Sequence, residues 1–213
     1  EVITGFRWSS GGAQKAFGIT PDLCILAKIV AGGLPGGAVA GKREILDLID
    51  HAATTAAKRE KIAHPGTFNA NPLSAAAAVT ALSLLRDEDL AEKANRTAAE
   101  LRRALTEVLV EEGIAWGIYG QSSTFLIYPN PTGEKIDPAN FDPLKLGFAK
   151  LKGARSGPLA GKIRMGLMTH GVDVMGSPGG FVSATHGAAE IEKTVHALRQ
   201  TVRALKAERE VKA

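Results

Sequence analysis

The stretch LCILAKIVAGGLPGGAVAG, residues 23–41, constrains the fold more than any other part of this sequence. Its first five residues, Leu23–Ala27, are apolar, follow Pro21-Asp22 and are closed by glycines, a pattern that predicts a short, fully buried β-strand. Residues 36–41, GGAVAG, predict a second short strand of small side chains. Lys28 stands where the first strand ends and the glycine-rich turn begins. In α/β sheets, ligands sit beyond the carboxyl ends of strands. Gly32, Gly33, Gly36 and Gly37 allow tight turns and the close approach of a flat ligand. Lysine is rarely buried unless it is paired or chemically used. Two readings of Lys28 follow. Its stem lies along apolar surface while the ammonium reaches water, or its amine, with a pKa lowered in a low-dielectric site, attacks a carbonyl to form a Schiff base.

Downstream, residues 42–50 predict a short helix, and 51–64 a polar loop or partly helical excursion. In GTFNANPL, Asn71-Pro72 is a helix start: Asn caps free N–H groups and Pro suits the first helical position. The helix from 72 to about 85 is Ala-rich and nearly uncharged, and is expected to be buried. Thr67 carries a hydroxyl just ahead of this helix. A hydroxyl, free N–H groups and the positive end of a helix dipole together suit a phosphate. A turn threonine bonding its own backbone is the alternative. A second helix, 89–112, places Leu90, Ala94, Leu101, Leu105 and Val108 on one face, and Gly113 ends it. IAWGIYG and STFLIYP predict two strands joined by a tight turn. A loop over 130–140, a helix over 159–170, short strands at 172–175 and 181–184 and a helix over 188–207 follow. Val2 and Ile3 read as the end of a strand. Near residue 86 the pattern changes from strands alternating with helices, the signature of a parallel sheet, to an α+β pattern. Residues 1–86 are therefore expected to be the end of a large α/β domain, and 87–213 a small α+β domain.

Composition excludes several classes. The chain has 213 residues, 45% of them hydrophobic, enough for a core. No apolar run approaches the roughly 20 residues that span a bilayer, and no signal-peptide pattern is present. The single cysteine, Cys24, excludes an internal disulfide and a multi-cysteine metal site; it reads as a small buried hydrophobe. A cytoplasmic protein without a metal or a membrane partner is expected. The net charge of +4 is uneven: residues 140–213 hold 12 Lys+Arg against 6 Asp+Glu, the remainder 14 against 16. The cations are scattered along helical patterns with no aromatic interleaving, so they read as a solvated face and not as a nucleic-acid surface.

Four segments carry a family resemblance: EVITGFR, TPDLCILAKIVAGGLPGGAVAG, GTFNANPLSAAAA and GVDVMGSPGGFVSATHGAAEIEKTV. In this order and spacing they resemble the class III aminotransferases, which use pyridoxal 5′-phosphate (PLP), and most of all the glutamate-1-semialdehyde 2,1-aminomutase branch. The resemblance covers essentially the whole chain. It implies the α/β architecture of fold type I PLP enzymes, a homodimer with active sites at the subunit interface, and a small amino-acid or amino-aldehyde substrate. Lys28 matches the lysine that holds PLP through its amine and later moves a proton between substrate and cofactor carbons. Thr67 matches the threonine that reaches the phosphate of the partner subunit's PLP. Arg7 matches a position common in the branch and receives no catalytic role.

The departures from the family pattern also carry expectations. In the family motif an aspartate that bonds the pyridine nitrogen stands immediately before EV, and PLP then works as an electron sink. This sequence begins with the Glu, and the family's chains are roughly twice as long. The span is therefore expected to be the C-terminal half of such an enzyme, inactive alone, with apolar surface exposed where the other half packs. The aminomutases typically read GTLSGNPL where this chain has GTFNANPL; ordinary amino-acid aminotransferases share the latter type, so transfer between two molecules stays open beside transfer within one. For each of His64 and His186 a loop histidine or a satisfied core histidine is the expected reading, with a place near the site as the alternative. A non-catalytic dimerisation module that keeps the scaffold is the reading from another class; an upstream sequence lacking the aspartate would favour it.

Overall fold

The computed structural model describes residues 1–211. The chain divides into two compact units, Glu1–Ala91 and Glu92–Ala213.

The first unit opens with turns, not with the strand expected at Val2 and Ile3. Gly5 N–H donates to the Glu1 carbonyl at 3.0 Å and Trp8 N–H to the Thr4 carbonyl at 3.0 Å. The Glu1 carboxylate accepts from the Thr4 hydroxyl and from the N–H groups of Ala13 (3.2 Å) and Gln14 (2.8 Å), capping helix α1, Gly12–Phe17. Burial opposes its ionisation, but the Thr4, Gln14 and Ala13 hydrogen bonds outweigh it and hold the carboxyl at about 2. These local bonds occupy the backbone that a strand would need.

Strands β1, Leu23–Ala27, and β2, Gly37–Gly41, form a two-stranded antiparallel sheet with Leu23 opposite Gly41 and Ala27 opposite Gly37. The parallel sheet expected here is corrected. Parallel strands need a crossover of a dozen or more residues, and the shorter stretch between Ala27 and Gly37 holds only a 3₁₀ turn, Lys28–Ala31, and the glycine-rich bend. The strands are not fully buried either: Leu23, Ile25 and Val39 are exposed. Helices α2, Arg43–Leu46, and α3, His51–Ala56, follow. Asp50 caps α3 by accepting from Ala53 N–H at 2.8 Å. Helix α4, Pro72–Asp87, starts where the Asn-Pro signal placed it, but it has no buried residue, contrary to expectation. Its Ala-rich face meets the 3₁₀ turn after β1, while Leu73 and Val79 face solvent at 69% and 67% exposure. The expected exposed apolar surface is thus present in this unit. Ala31 is almost fully buried there, at 3% exposure, and a two-stranded sheet buries too little to stand alone.

The second unit is different in kind. Helix α5, Leu90–Glu111, leads into the antiparallel pair β3, Gly117–Tyr119, and β4, Thr124–Tyr128, as the sequence predicts. A short helix α6, Phe148–Gly153, which the sequence reading missed, precedes α7, Pro158–Thr169. Strand β5, Gly179–Phe181, pairs with β4, and α8, Ala188–Ala207, ends the unit. Residues 172–175 form no strand. Val174 is buried and Val172 packs on the core without a ladder partner; alternating apolar residues report burial, and pairing is a separate matter. Leu101, Leu105 and Val108 of α5 share the core with Trp116, Phe125, Ile163, Leu198 and Val202. This core is the main hydrophobic stabilisation in the chain, at about 1.5–3 kcal/mol per large side chain buried.

Glu112 ties α5 to α8. Its side chain is 9% exposed and accepts from Arg203 Nε at 2.8 Å and Arg199 at 3.4 Å, with Lys206 Nζ 3.7 Å away. Burial would raise its pKa, but the three cations prevail and lower it. A depressed folded-state pKa stabilises the fold above the ordinary carboxyl range, and this is lost as pH falls through the folded value. Glu112→Gln is expected to lower stability by about 2 kcal/mol at neutral pH, with the deficit shrinking in urea melts as the pH drops below about 4. An equal deficit at acid pH would reject the ionic account.

Candidate functional site

Lys28 lies immediately after β1, at the start of the 3₁₀ turn, with φ +57°. A non-glycine residue in this left-handed region costs of order 1 kcal/mol, a strain that persists only where the surroundings impose it. Here helix α4 is the constraint. Gly32, which ends the turn at φ +62°, lies so near α4 that an added Cβ would meet the Ala77 carbonyl oxygen at 2.3 Å. Ser74 Oγ on α4 donates to the Pro35 carbonyl at 2.8 Å. The glycine bend is therefore held against α4 at both of its ends. The Lys28 side chain is exposed, and among the described residues its ammonium has no hydrogen-bond or ion-pair partner.

Thr67 sits in the exposed turn that leads into α4. The alternative of a threonine bonding its own backbone does not hold. Thr54, Thr80, Thr97, Thr106 and Thr201 all donate to carbonyls of the preceding helical turn. The Thr67 hydroxyl has no such partner among the described residues. The expectation of free N–H groups at the helix start is corrected. Asn71 Oδ1 accepts from both Leu73 N–H (3.1 Å) and Ser74 N–H (3.0 Å), Ala75 N–H donates to the Asn71 carbonyl, and Pro72 has no N–H. The first turn of α4 is satisfied by its own cap. An anion at this place has to be held by the loop.

A cleft separates the glycine bend from this loop; Val30, Gly36 and Gly37 form one side, and His64, Phe68 and Asn69 the other. Lys28 and Thr67 flank the same α4 scaffold, and no hydrogen bond joins them. His64 is among the residues that line the cleft. His186 lies in the other unit, where its Nδ1 accepts from Ser183 N–H at 3.2 Å. Arg7 is partly buried, which draws its guanidinium below its ordinary pKa. Cys24 accepts from Gln14 Nε2 at 3.1 Å and is half-buried. Among the described residues no group of His, Cys, Asp and Glu is arranged to hold a metal ion, and no helix is long and apolar enough to cross a membrane.

The chain is 36% identical over 199 residues to the glutamate-1-semialdehyde 2,1-aminomutase of Methanosarcina acetivorans, covering 92% of this chain and 42% of that protein. An omega-transaminase from Sphaerobacter thermophilus superposes with a TM-score of 0.77 at 28% identity, over 96% of this chain and 43% of the other. A transaminase with PLP bound gives 0.76 at 25% identity, over 98% and 44%. The fold is that of the fold type I transaminases, and the chain spans less than half the length of the relatives it matches. The aminotransferase class-III family model matches residues 1–115, a span that contains the Lys28 turn, the Thr67 loop and all of α4. This chain belongs to the class-III aminotransferase family.

Proposed function

We propose that the intact protein is a PLP-dependent amino-group transferase of the glutamate-1-semialdehyde aminomutase type, acting on a small amino acid or amino aldehyde as a cytoplasmic homodimer. Residues 1–86 then belong to its cofactor-binding large domain, and 87–213 form its small C-terminal domain. The observation that carries this reading is the unpaired ammonium of Lys28 on a strained turn held against α4.

The residues present fit the cofactor. A carbonyl partner needs a primary amine free of competing partners, and Lys28 supplies it. A phosphate needs a donor with spare capacity, and the Thr67 hydroxyl supplies one. PLP, when bound, supplies an electron sink for cleavage of a bond at the substrate's amino-bearing carbon. Lys28 Nζ then has two tasks: it holds the cofactor covalently, and once released it accepts and returns a proton as general base and acid. Thr67 holds the phosphate end and limits the cofactor's rotation. Thr67 and Lys28 lie on different segments around α4, which suits a role for each toward a different subunit's cofactor.

Incubation of the intact polypeptide with PLP, reduction with borohydride and peptide mapping by mass spectrometry test the assignment. The cofactor mass is expected on the peptide containing Lys28; its appearance on another lysine overturns it. Thr67→Ala is expected to weaken PLP retention about tenfold with little change in turnover at saturating PLP, the value of a charge-assisted hydrogen bond of about 1.5 kcal/mol. Unchanged retention in equilibrium dialysis rejects that role.

Transfer between two molecules is the second reading, favoured by the likeness to the omega-transaminase. Half-reaction assays separate the two: release of a keto product from an amine donor before any acceptor is added supports it.

A further inference from the structure

The geometry points to Asn69 as the positioning residue that holds the Thr67 loop in shape for the cofactor's phosphate. This rests on the reading of Lys28 and Thr67 given above. The cap on α4 consumes the N–H groups of Leu73 and Ser74, and Pro72 has none. Phosphate recognition therefore depends on the conformation of the loop that carries Thr67, and that conformation needs its own support.

Asn69 supplies the support from both its backbone and its side chain. Its side-chain amide donates to the His64 carbonyl at 3.0 Å, across the loop. Its backbone N–H donates to the Gly66 carbonyl at 3.0 Å. Gly66, Thr67 and Phe68 are thus bracketed by one residue. The fit at Gly66 is close: an added Cβ would meet Asn69 Oδ1 at 2.5 Å and Cγ at 2.8 Å. The next residue, Ala70, takes φ +56°, so the chain leaves the bracket in a conformation that a non-glycine residue adopts only under constraint. Phe68, at the apex, is 82% exposed and gives the loop no apolar anchor. The Asn69 amide is the link that closes the loop on itself, and the Thr67 hydroxyl projects from the closed segment without an internal partner. Preorganisation of this kind lowers the ordering cost of binding.

Phosphate dependence is the readout that a merely structural role would not move. The intact polypeptide is titrated with PLP and with pyridoxal, which has the same carbonyl and no phosphate, and covalent attachment is followed by absorbance and borohydride trapping. Asn69→Ala is expected to reduce PLP affinity about fivefold, the value of one hydrogen bond, and to leave pyridoxal affinity unchanged. Gly66→Ala, which crowds the amide from the other side, is expected to reproduce the selective loss and serves if Asn69→Ala does not fold. Equal losses for PLP and pyridoxal, or no loss for PLP, overturn the role of Asn69. A wild-type protein that forms no adduct with either compound overturns the Lys28 reading itself, and this inference with it.

Discussion

Lys28→Ala is expected to abolish covalent cofactor attachment and to lower turnover of the intact enzyme by at least about 10³-fold. General acid–base catalysis alone contributes roughly 10²–10⁴, and loss of the covalent link removes a second contribution. The residual rate is expected to rise when a small primary amine is added, because the amine restores the proton carrier without restoring the tether. Stability is expected to move in the opposite direction. Lys28 occupies a left-handed backbone conformation, which Gly adopts without cost. Lys28→Gly should therefore be more stable than the parent by about 1 kcal/mol, and equally inactive. Steady-state rates together with a thermal melt of each variant check both halves. A Lys28→Gly protein that is less stable than Lys28→Ala would remove the strain argument; appreciable turnover without added amine would remove the catalytic one.

The second large effect concerns stability. Leu105 of α5 is fully buried in the core of the second unit. Leu105→Ala is expected to cost about 3 kcal/mol, the transfer term plus the cavity left in that core. For a unit of this size that is roughly a 10 °C fall in its melting temperature. Leu73→Ala on the exposed face of α4 is expected to stay within about 0.5 kcal/mol in this 213-residue chain. Urea melts of the two variants side by side measure the contrast. A similar penalty for both would mean that the first unit has a core that its burial does not suggest.

The second unit was the most legible part of the sequence. The face of α5 formed by Leu101, Leu105 and Val108, the strand pair around Gly120 and Gln121, and α8 are local patterns whose partners lie within the same unit. Periodicity is a faithful signal where a segment's apolar face is buried by neighbours present in the chain. It failed at residues 172–175, where Val172 and Val174 reach the core from an irregular segment. The same signal misled in the first unit. Leu23 and Ile25 of β1 and Leu73 and Val79 of α4 have the character of buried residues, yet this chain leaves them open.

The candidate site divides in the same way. By itself the sequence determined the strand-end lysine, the glycine bend, the Asn-Pro helix start and, through motif order, the family. Those features are local or compositional, and each follows from one residue type in one setting. Only the tertiary structure decided that β1 and β2 run antiparallel and that the glycine bend lies against Ser74 and Ala77 of α4. It also decided that the Asn69 side chain closes the Thr67 loop. These outcomes depend on the directions in which side chains and carbonyls point once the chain has turned back on itself, and the pattern of residue types along a segment does not carry that information.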